Sequence, residues 1–535
     1  MPQPASTHAP SPRTRSIFTL GLALVLAAAC GTSAAPSGAS GDPSASAGAS
    51  VVSDSRSPLI PVAGYRSTLT ALTSAGIARL SEVGGSEPIT KLILIAPEAT
   101  AILESLGISA TSIATRLVLV ADRTDLKAAL ATDEKAAGFV RLAALEPALR
   151  TLTWEGAAIV GVHHIRSLSE WTLRAELSVD TTIPAEWITG ARAYDPATAW
   201  TLAAGGDILL DRGVAYHAKR ANRGADSLFD GGIADITGTS CCSQFGSPQV
   251  VAHLASDGGI NGAMRSLFQD ADLSIANLES PTPKGWRQHN SGTTFTGNPA
   301  LLRVIKDAGF DFLSLANNHI GDGGITRIPE TVAAVAAAGM ASGGAGANLA
   351  EAQRPWLTKV GGITVGIVAV DQINPSYHAR VNRAGSAPIG VLELRASIAA
   401  ARTAGADFVI VFPHWGLEFQ AQATASQRRF AKRAIEAGAD MILGSHSHWA
   451  SAMEIIDGKP VFYSMGNFVF DQNWSVETSE GLVIESTFAG SRLVSTRMLP
   501  TVILNQAQPN FVDLASDGVP IMNRVWKGSK GLPRW

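Results

Sequence analysis

The sequence predicts an α/β protein. Short apolar runs rich in Val, Ile, Leu and Phe recur along the chain, and nearly every one ends in Gly, Asn, Asp, Glu or His. Ala- and Leu-rich stretches of helical character separate them. Strand–helix alternation of this kind builds sheets covered by helices. Open α/β sheets collect ligands at the carboxyl ends of their strands, so the polar strand ends are where function is expected.

Taken in order, residues 1–29 read as an export signal. Arg13 and Arg15 precede Ile17–Ala29, an uncharged apolar run too short to span a bilayer comfortably. It closes in Ala27-Ala28-Ala29-Cys30-Gly31, which resembles a bacterial lipobox. That resemblance implies cleavage before Cys30, lipidation of its thiol and the cell membrane as a partner. Ala27 stands where Leu is usual, and an ordinary secretory signal cut nearby is the other reading. Both place the mature chain outside the cytoplasm. Residues 30–57, dominated by Ser, Ala, Gly and Pro, read as a flexible tether.

At 535 residues, two or three domains are expected. With 46% hydrophobic and 16% charged residues, large cores are affordable in composition, and a net charge of −3 without a basic run argues against nucleic acid. Cys241 and Cys242 are adjacent, so they form a disulfide or sit as two thiols, and no chemistry is assigned to them.

Residues 58–195 read as a smaller α/β domain. Lys91–Ala96, Arg116–Ala121 and Gly138–Leu142 are its expected strands, Glu98–Leu106 and Asp125–Lys135 its helices. Part of it resembles a periplasmic solute-binding domain. His163 and His164 are read as strand-end residues, not ligands. Tyr194-Asp195-Pro196 marks the junction.

Residues 196–502 carry the chemistry. Trp200–Ala204 leads to Gly205-Gly206-Asp207, and Ala271–Ala276 to Asn277-Leu278-Glu279. Phe310–Ala316 leads to Asn317-Asn318-His319 and a Gly-rich turn with Asp322. Ile363–Val370 ends in Asp371, and Phe408–Phe412 leads to His414. Met441–Leu443 leads to Gly444-Ser445-His446-Ser447-His448, and Pro460–Ser464 to Asn467. Helices are expected at Leu301–Ala308, Pro329–Ala338, Leu392–Ala404 and Ser426–Ala437. Residues 503–535 form a tail that the sequence does not place.

The converging donors are Asp207, Glu279, Asn318, His414, His446 and His448. Two carboxylates, an amide oxygen and three imidazoles suit one or two divalent ions such as Mn, Fe or Zn. Six donors exceed one tetrahedral zinc and fit two ions sharing a carboxylate, an arrangement that holds a phosphoryl group.

Together, Gly206-Asp207, Asn277-Leu278-Glu279, Asn317-Asn318-His319 with Asp322, His414-Trp415-Gly416-Leu417-Glu418, Gly444 to His448 and Tyr463 to Asp471 resemble the bacterial CapA family of capsule or poly-gamma-glutamate synthesis proteins. That family is similar to calcineurin-like metallophosphoesterases, which implies an α/β/β/α sandwich. The resemblance implies that Asp207 and His448 hold a first metal, that Asn318, His414 and His446 hold a second, and that Glu279 bridges. It implies His319 as general acid or as a charge stabiliser. It also implies an anionic polymer or a phosphoester as substrate, and the capsule synthesis machinery as partner. Two departures stand out. Leu209 occupies the position where phosphoesterases usually carry a metal-binding His, and Glu279 follows Leu278 where an Asp usually follows Gly. Arg212 is a candidate anion-binding charge. Asn317, Asp322, Glu418, Asn467 and Asp471 are candidates for supporting the ligands or for turn and cap bonds. Three functions remain open: a metal-dependent hydrolase, an envelope assembly protein without turnover, and a binding module on a degenerate site.

Overall fold

The computed structural model describes residues 56–82, 89–178 and 180–535. The expected signal segment, Cys30 and nearly all of the tether lie outside these residues. No helix among the described residues is long and apolar enough to cross a membrane.

The first sheet runs Leu117–Val120, Lys91–Ile95, Ala136–Arg141, Ser57–Gly64, Leu149–Thr151, with Arg174–Ala175 beside Ser57–Gly64. Its helices start earlier than the sequence suggests. Asp122 caps Arg123–Thr132 by accepting from the Thr124 and Asp125 N–H groups, and Pro97 sits in the first turn of Ala96–Leu106. Leu59, Ile60, Ile93, Leu94, Phe139 and their neighbours form a core confined almost wholly to residues 59–199. His163 and His164 lie in a turn, not on a strand, because His164 is tied down through Nδ1 to Gly161 O (2.7 Å) and Nε2 to Pro196 O (3.0 Å).

Two larger sheets follow. One has ten strands in the order Gln249–Ser256, Ile233–Ser240, Gln508–Phe511, Arg492–Leu504, Glu480–Ala489, Trp200–Ile208, Leu273–Leu278, Phe312–Ser314, Ala341–Gly343, with Asn467–Val469 pairing Trp200–Ile208. The other has six, in the order Trp356–Val360, Ile363–Asp371, Phe408–His414, Met441–Leu443, Lys459–Phe462, Met453–Ile456. Their inner faces share one core, in which Leu202, Ile275 and Ile484 meet Ile367, Ile410 and Leu443. Helices Arg212–Arg220, Ala263–Asp270, Leu302–Asp307 and Ile328–Ala337 contribute to the core on the outer face of the ten-stranded sheet. Helices Val391–Thr403 and Ala425–Glu436 contribute to the core on the outer face of the other. The result is an α/β/β/α sandwich, as the sequence leads one to expect.

The ten-stranded sheet is mixed. Trp200–Ile208, Leu273–Leu278, Phe312–Ser314 and Ala341–Gly343 are parallel, whereas Glu480–Ala489 and Arg492–Leu504 run antiparallel. Residues 503–535 are built into the fold. Gln508–Phe511 adds a strand, and helix Gly518–Gly528 buries Ile521, Met522, Val525 and Trp526. The first sheet is fastened to the sandwich by polar bonds: Val162 N–H donates to Glu485 (2.6 Å), Gly161 N–H to Thr487 (2.8 Å), and Arg492 to Leu145 O (2.8 Å).

Candidate metal centre

Register brings the site together. Asp207 lies opposite Asn277 on one neighbouring strand and opposite Asn467 on the other, and Asp371 lies opposite His414. The strands reach further than the sequence suggests, so Asp207 and His414 are their last residues or nearly so. Gly206 is required here because a Cβ would lie 2.0 Å from Gly466 O, where the Asn467 strand crosses.

Asp207 and Glu279 are fully buried, and His414, His446 and His448 nearly so. Ligand atoms of Asp207, Glu279 and His448 all lie within 4.8 Å of one another, as do those of Glu279, His414 and His446. Glu279 belongs to both groups. Its Oε1 is 3.7 Å from His448 Nε2 and 3.9 Å from His414 Nε2. Asn318 Oδ1 is 2.7 Å from His414 Nε2, which is itself 3.1 Å from His446 Nδ1. All six expected donors therefore converge.

Their partners fix how they point. His448 Nδ1 meets Asn467 Oδ1 at 2.9 Å, which leaves Nε2 as the lone-pair nitrogen facing Glu279. His414 Nδ1 meets Ser445 Oγ at 2.9 Å, which leaves its Nε2 facing Asn318 and His446. Asn277 Nδ2 donates to Asp207 Oδ1 (2.8 Å), and the His446 N–H lies 3.3 Å from Asp207 Oδ2. Asn317 donates to Leu278 O (2.8 Å) and Asn277 Oδ1 (3.2 Å), locking the two strand ends together. The His446 and His448 backbones sit at φ 92 and 58. Non-glycine residues there cost on the order of 1–3 kcal/mol each and persist only where the surroundings hold them.

The electrostatics match a cation. Burial, then the Asp207 carboxylate, pushes the Glu279 carboxyl well above the usual range, and burial raises Asp207. Burial holds His414 and His448 well below the ordinary imidazole value and His446 down at about 4. The imidazoles are thus neutral ligand forms. Both Glu279 oxygens are buried without a hydrogen-bond partner. Buried polar atoms left unpaired are costly, so lone pairs converging on an unpartnered carboxylate fit one or two divalent cations.

His319 stands at the mouth. Its Nδ1 contacts Asp322 Oδ2 at 2.8 Å, its Nε2 lies 3.9 Å from Glu279 Oε1, and Phe295 packs on its ring at 4.2 Å. Asp322 also accepts from the Phe295 N–H (2.9 Å). Arg212 is buried, paired through its guanidinium with Asp471, and lies over Phe295 at 4.7 Å. Glu418 lies at the rim, where partial burial of its carboxyl in the cleft raises its pKa. Leu209 is fully buried against Phe295, Phe470 and Ile503, an apolar cluster directly behind His319 and His448.

Sequence reading did not single out Asn277, Ser445 or Phe295. Asn277 is two residues before Glu279 on the same strand end, and that spacing is a usable signal. Ser445 and Phe295 come from loops whose paths the sequence does not reveal.

The model of the family described as "Bacterial capsule synthesis protein PGA_cap" matches residues 201–472. A PGA biosynthesis protein CapA of Bacillus subtilis is 32% identical over 41% of this chain and 58% of its own. A capsule biosynthesis protein CapA of Bacillus anthracis is 29% identical over 49% of this chain and 64% of its own. The chain therefore spans about six-tenths of the length of these two relatives. A Mycobacterium tuberculosis protein named for an accessory role in polyglutamine synthesis is 30% identical over 56% of this chain and 84% of its own. A 5'-nucleotidase precursor of Thermus thermophilus overlaps 58% of this chain and 56% of its own at 14% identity and a TM-score of 0.34, too distant to bear on function.

Proposed function

Because the chain belongs to the PGA_cap family of bacterial capsule synthesis proteins, we propose that it is an extracytoplasmic lipoprotein of capsule or poly-gamma-glutamate biosynthesis with a metal-dependent hydrolase-like site. The lipobox-like end at Cys30 supports membrane anchoring and delivery to the envelope. Residues 58–195 serve as a recognition module fastened to the catalytic sandwich, which also includes the strand Gln508–Phe511 and the helix Gly518–Gly528.

The observation that carries the reading is the unpartnered Glu279 carboxylate shared by two donor groups. Asp207, Glu279 and His448 would hold one divalent cation, and Glu279, Asn318, His414 and His446 the other. Such ions supply Lewis acidity and a water acidic enough to attack at neutral pH. The chain's own residues do the rest. Asn467 Oδ1 fixes the His448 tautomer, so that its Nε2 lone pair points inward, and Ser445 holds the His414 ring in place. Asp322 orients His319 through Nδ1, leaving Nε2 to deliver a proton to a leaving oxygen or nitrogen at the mouth. Phe295 covers one face of that imidazole and keeps water from it.

Metal content and turnover test this directly. Residues Ser55–Trp535 form one compact unit, and this unit should contain Mn, Fe or Zn and hydrolyse an aryl phosphate or a polymer amide with Mn²⁺ added. Metal near zero together with no turnover would leave the second reading, a non-catalytic envelope assembly protein. Leu209 favours that alternative, since it puts a hydrocarbon where related phosphoesterases place a ligand.

A further inference from the structure

A cleft leads outward from the metal centre in two lobes of about 690 and 680 Å³ that share Arg212, Phe245, Thr293 and Trp474. Each lobe alone is within the roughly 300–1,000 Å³ of pockets that enclose a drug-sized ligand. The cleft thus accommodates much more than one phosphate or one amino acid. We infer that it binds an uncharged sugar chain, rich in hydroxyl and amide groups, with only the terminal reacting group reaching the metal ligands.

The lining carries the inference. Among the described residues lining both lobes, Arg212 is the one Lys or Arg. It is already engaged by Asp471 (Nε to Oδ2 3.1 Å) and Gly292 O (2.6 Å). Glu418 adds a carboxyl of its own, whereas that of Asp471 is matched by Arg212. A polymer with a carboxylate on every repeat would find no unpaired guanidinium or ammonium there and would meet like charge. The outer lobe is instead edged by the side-chain amides of Gln244, Gln249, Asn290, Asn473 and Gln506. Such groups both donate and accept, as sugar hydroxyls and acetamido groups require.

Aromatic surfaces complete the pattern. Phe245 is 61% exposed at the tip region of the hairpin Ile233–Ser240 and Gln249–Ser256, and meets Trp474 edge-on at 4.9 Å. Trp474 also approaches Phe419 at 6.4 Å. Trp449, on the inner lobe, keeps its indole N–H without a partner. Gln249 Nε2 donates to Asn473 O (2.7 Å) and pins the hairpin over the cleft. Aromatic faces with polar tips suit sugar rings, apolar on one face and hydroxylated at the edge.

This deepens the hydrolase-like reading, on which it rests only for which end of the chain meets the ligands. Titrating the Ser55–Trp535 unit in EDTA with a tetramer of N-acetylglucosamine, and separately with poly-gamma-glutamate of similar length, tests it by calorimetry and tryptophan fluorescence. The expected result is saturable sugar binding that salt hardly changes and at least tenfold weaker polyglutamate binding. Trp474→Ala and Phe245→Ala should each weaken the sugar about tenfold with an unchanged circular dichroism spectrum. No sugar binding, tighter polyglutamate binding, or indifference to both substitutions would overturn the inference. Sugar binding by a protein that never takes up metal would defeat the hydrolase reading alone, and metal uptake without sugar binding this inference alone.

Discussion

Replacing Glu279 by Gln should stabilise the metal-free protein and abolish its response to metal. In wild type the carboxylate is fully buried and neither oxygen has a donor. An unsatisfied buried polar group costs about 1–3 kcal/mol. The amide keeps the shape and can donate toward the lone pairs of His448 Nε2 and His414 Nε2, now 3.7 and 3.9 Å from Oε1. For 535 residues, an unfolding entropy of about 2.1 cal/mol/K per residue makes 1 kcal/mol equal to about 1 °C in Tm. In EDTA the variant should therefore melt about 1–3 °C above wild type. A cation at a thousand times its Kd stabilises wild type by about 4.1 kcal/mol, or about 4 °C. The variant, lacking the shared anion, should gain almost nothing, so the order of the two melting points reverses when metal is added. Scanning calorimetry in EDTA and in excess Mn²⁺ reads both. A less stable variant in EDTA, or a wild-type Tm unmoved by Mn, Fe and Zn, would refute the reasoning.

Three further outcomes follow from the same geometry. His319→Ala should lower turnover about 10²- to 10⁴-fold while metal content by mass spectrometry stays at the wild-type value; a parallel loss of metal would make His319 a ligand instead. Asn467→Ala frees the His448 ring from its 2.9 Å partner, and metal affinity from competition with a chromogenic chelator should fall about 10- to 100-fold. Leu209→Ala empties part of the cluster with Phe295, Phe470 and Ile503 and should cost about 2–5 kcal/mol in urea unfolding, with metal stoichiometry retained. A drop in stoichiometry would show that the apolar cluster shapes the site itself.

The parallel strands and their polar ends were legible because hydrophobic runs stop abruptly at Asp207, Glu279, Asn318, His414 and the His446–His448 loop. Periodicity reports where a buried strand ends, and the ligands lie there. The antiparallel pair Glu480–Ala489 and Arg492–Leu504 was not legible, because its buried faces hold Glu485 and Arg492. Only tertiary pairing, such as Glu485 with Arg497 (2.7 Å), makes those positions tolerable inside. The hairpin over the cleft hid for the opposite reason: its strands are largely exposed and show no apolar run. The turn around His164 and the path bringing Phe295 to His319 depend on contacts far apart in sequence, which spacing cannot encode.

The most direct test of the central claim, that one carboxylate serves two cation positions, is anomalous diffraction from crystals of the Ser55–Trp535 unit soaked in Mn²⁺. Two peaks should flank Glu279, one among Asp207, Glu279 and His448, the other among Glu279, Asn318, His414 and His446. Density confined to the protein surface, or no peak within bonding distance of Glu279, would contradict it.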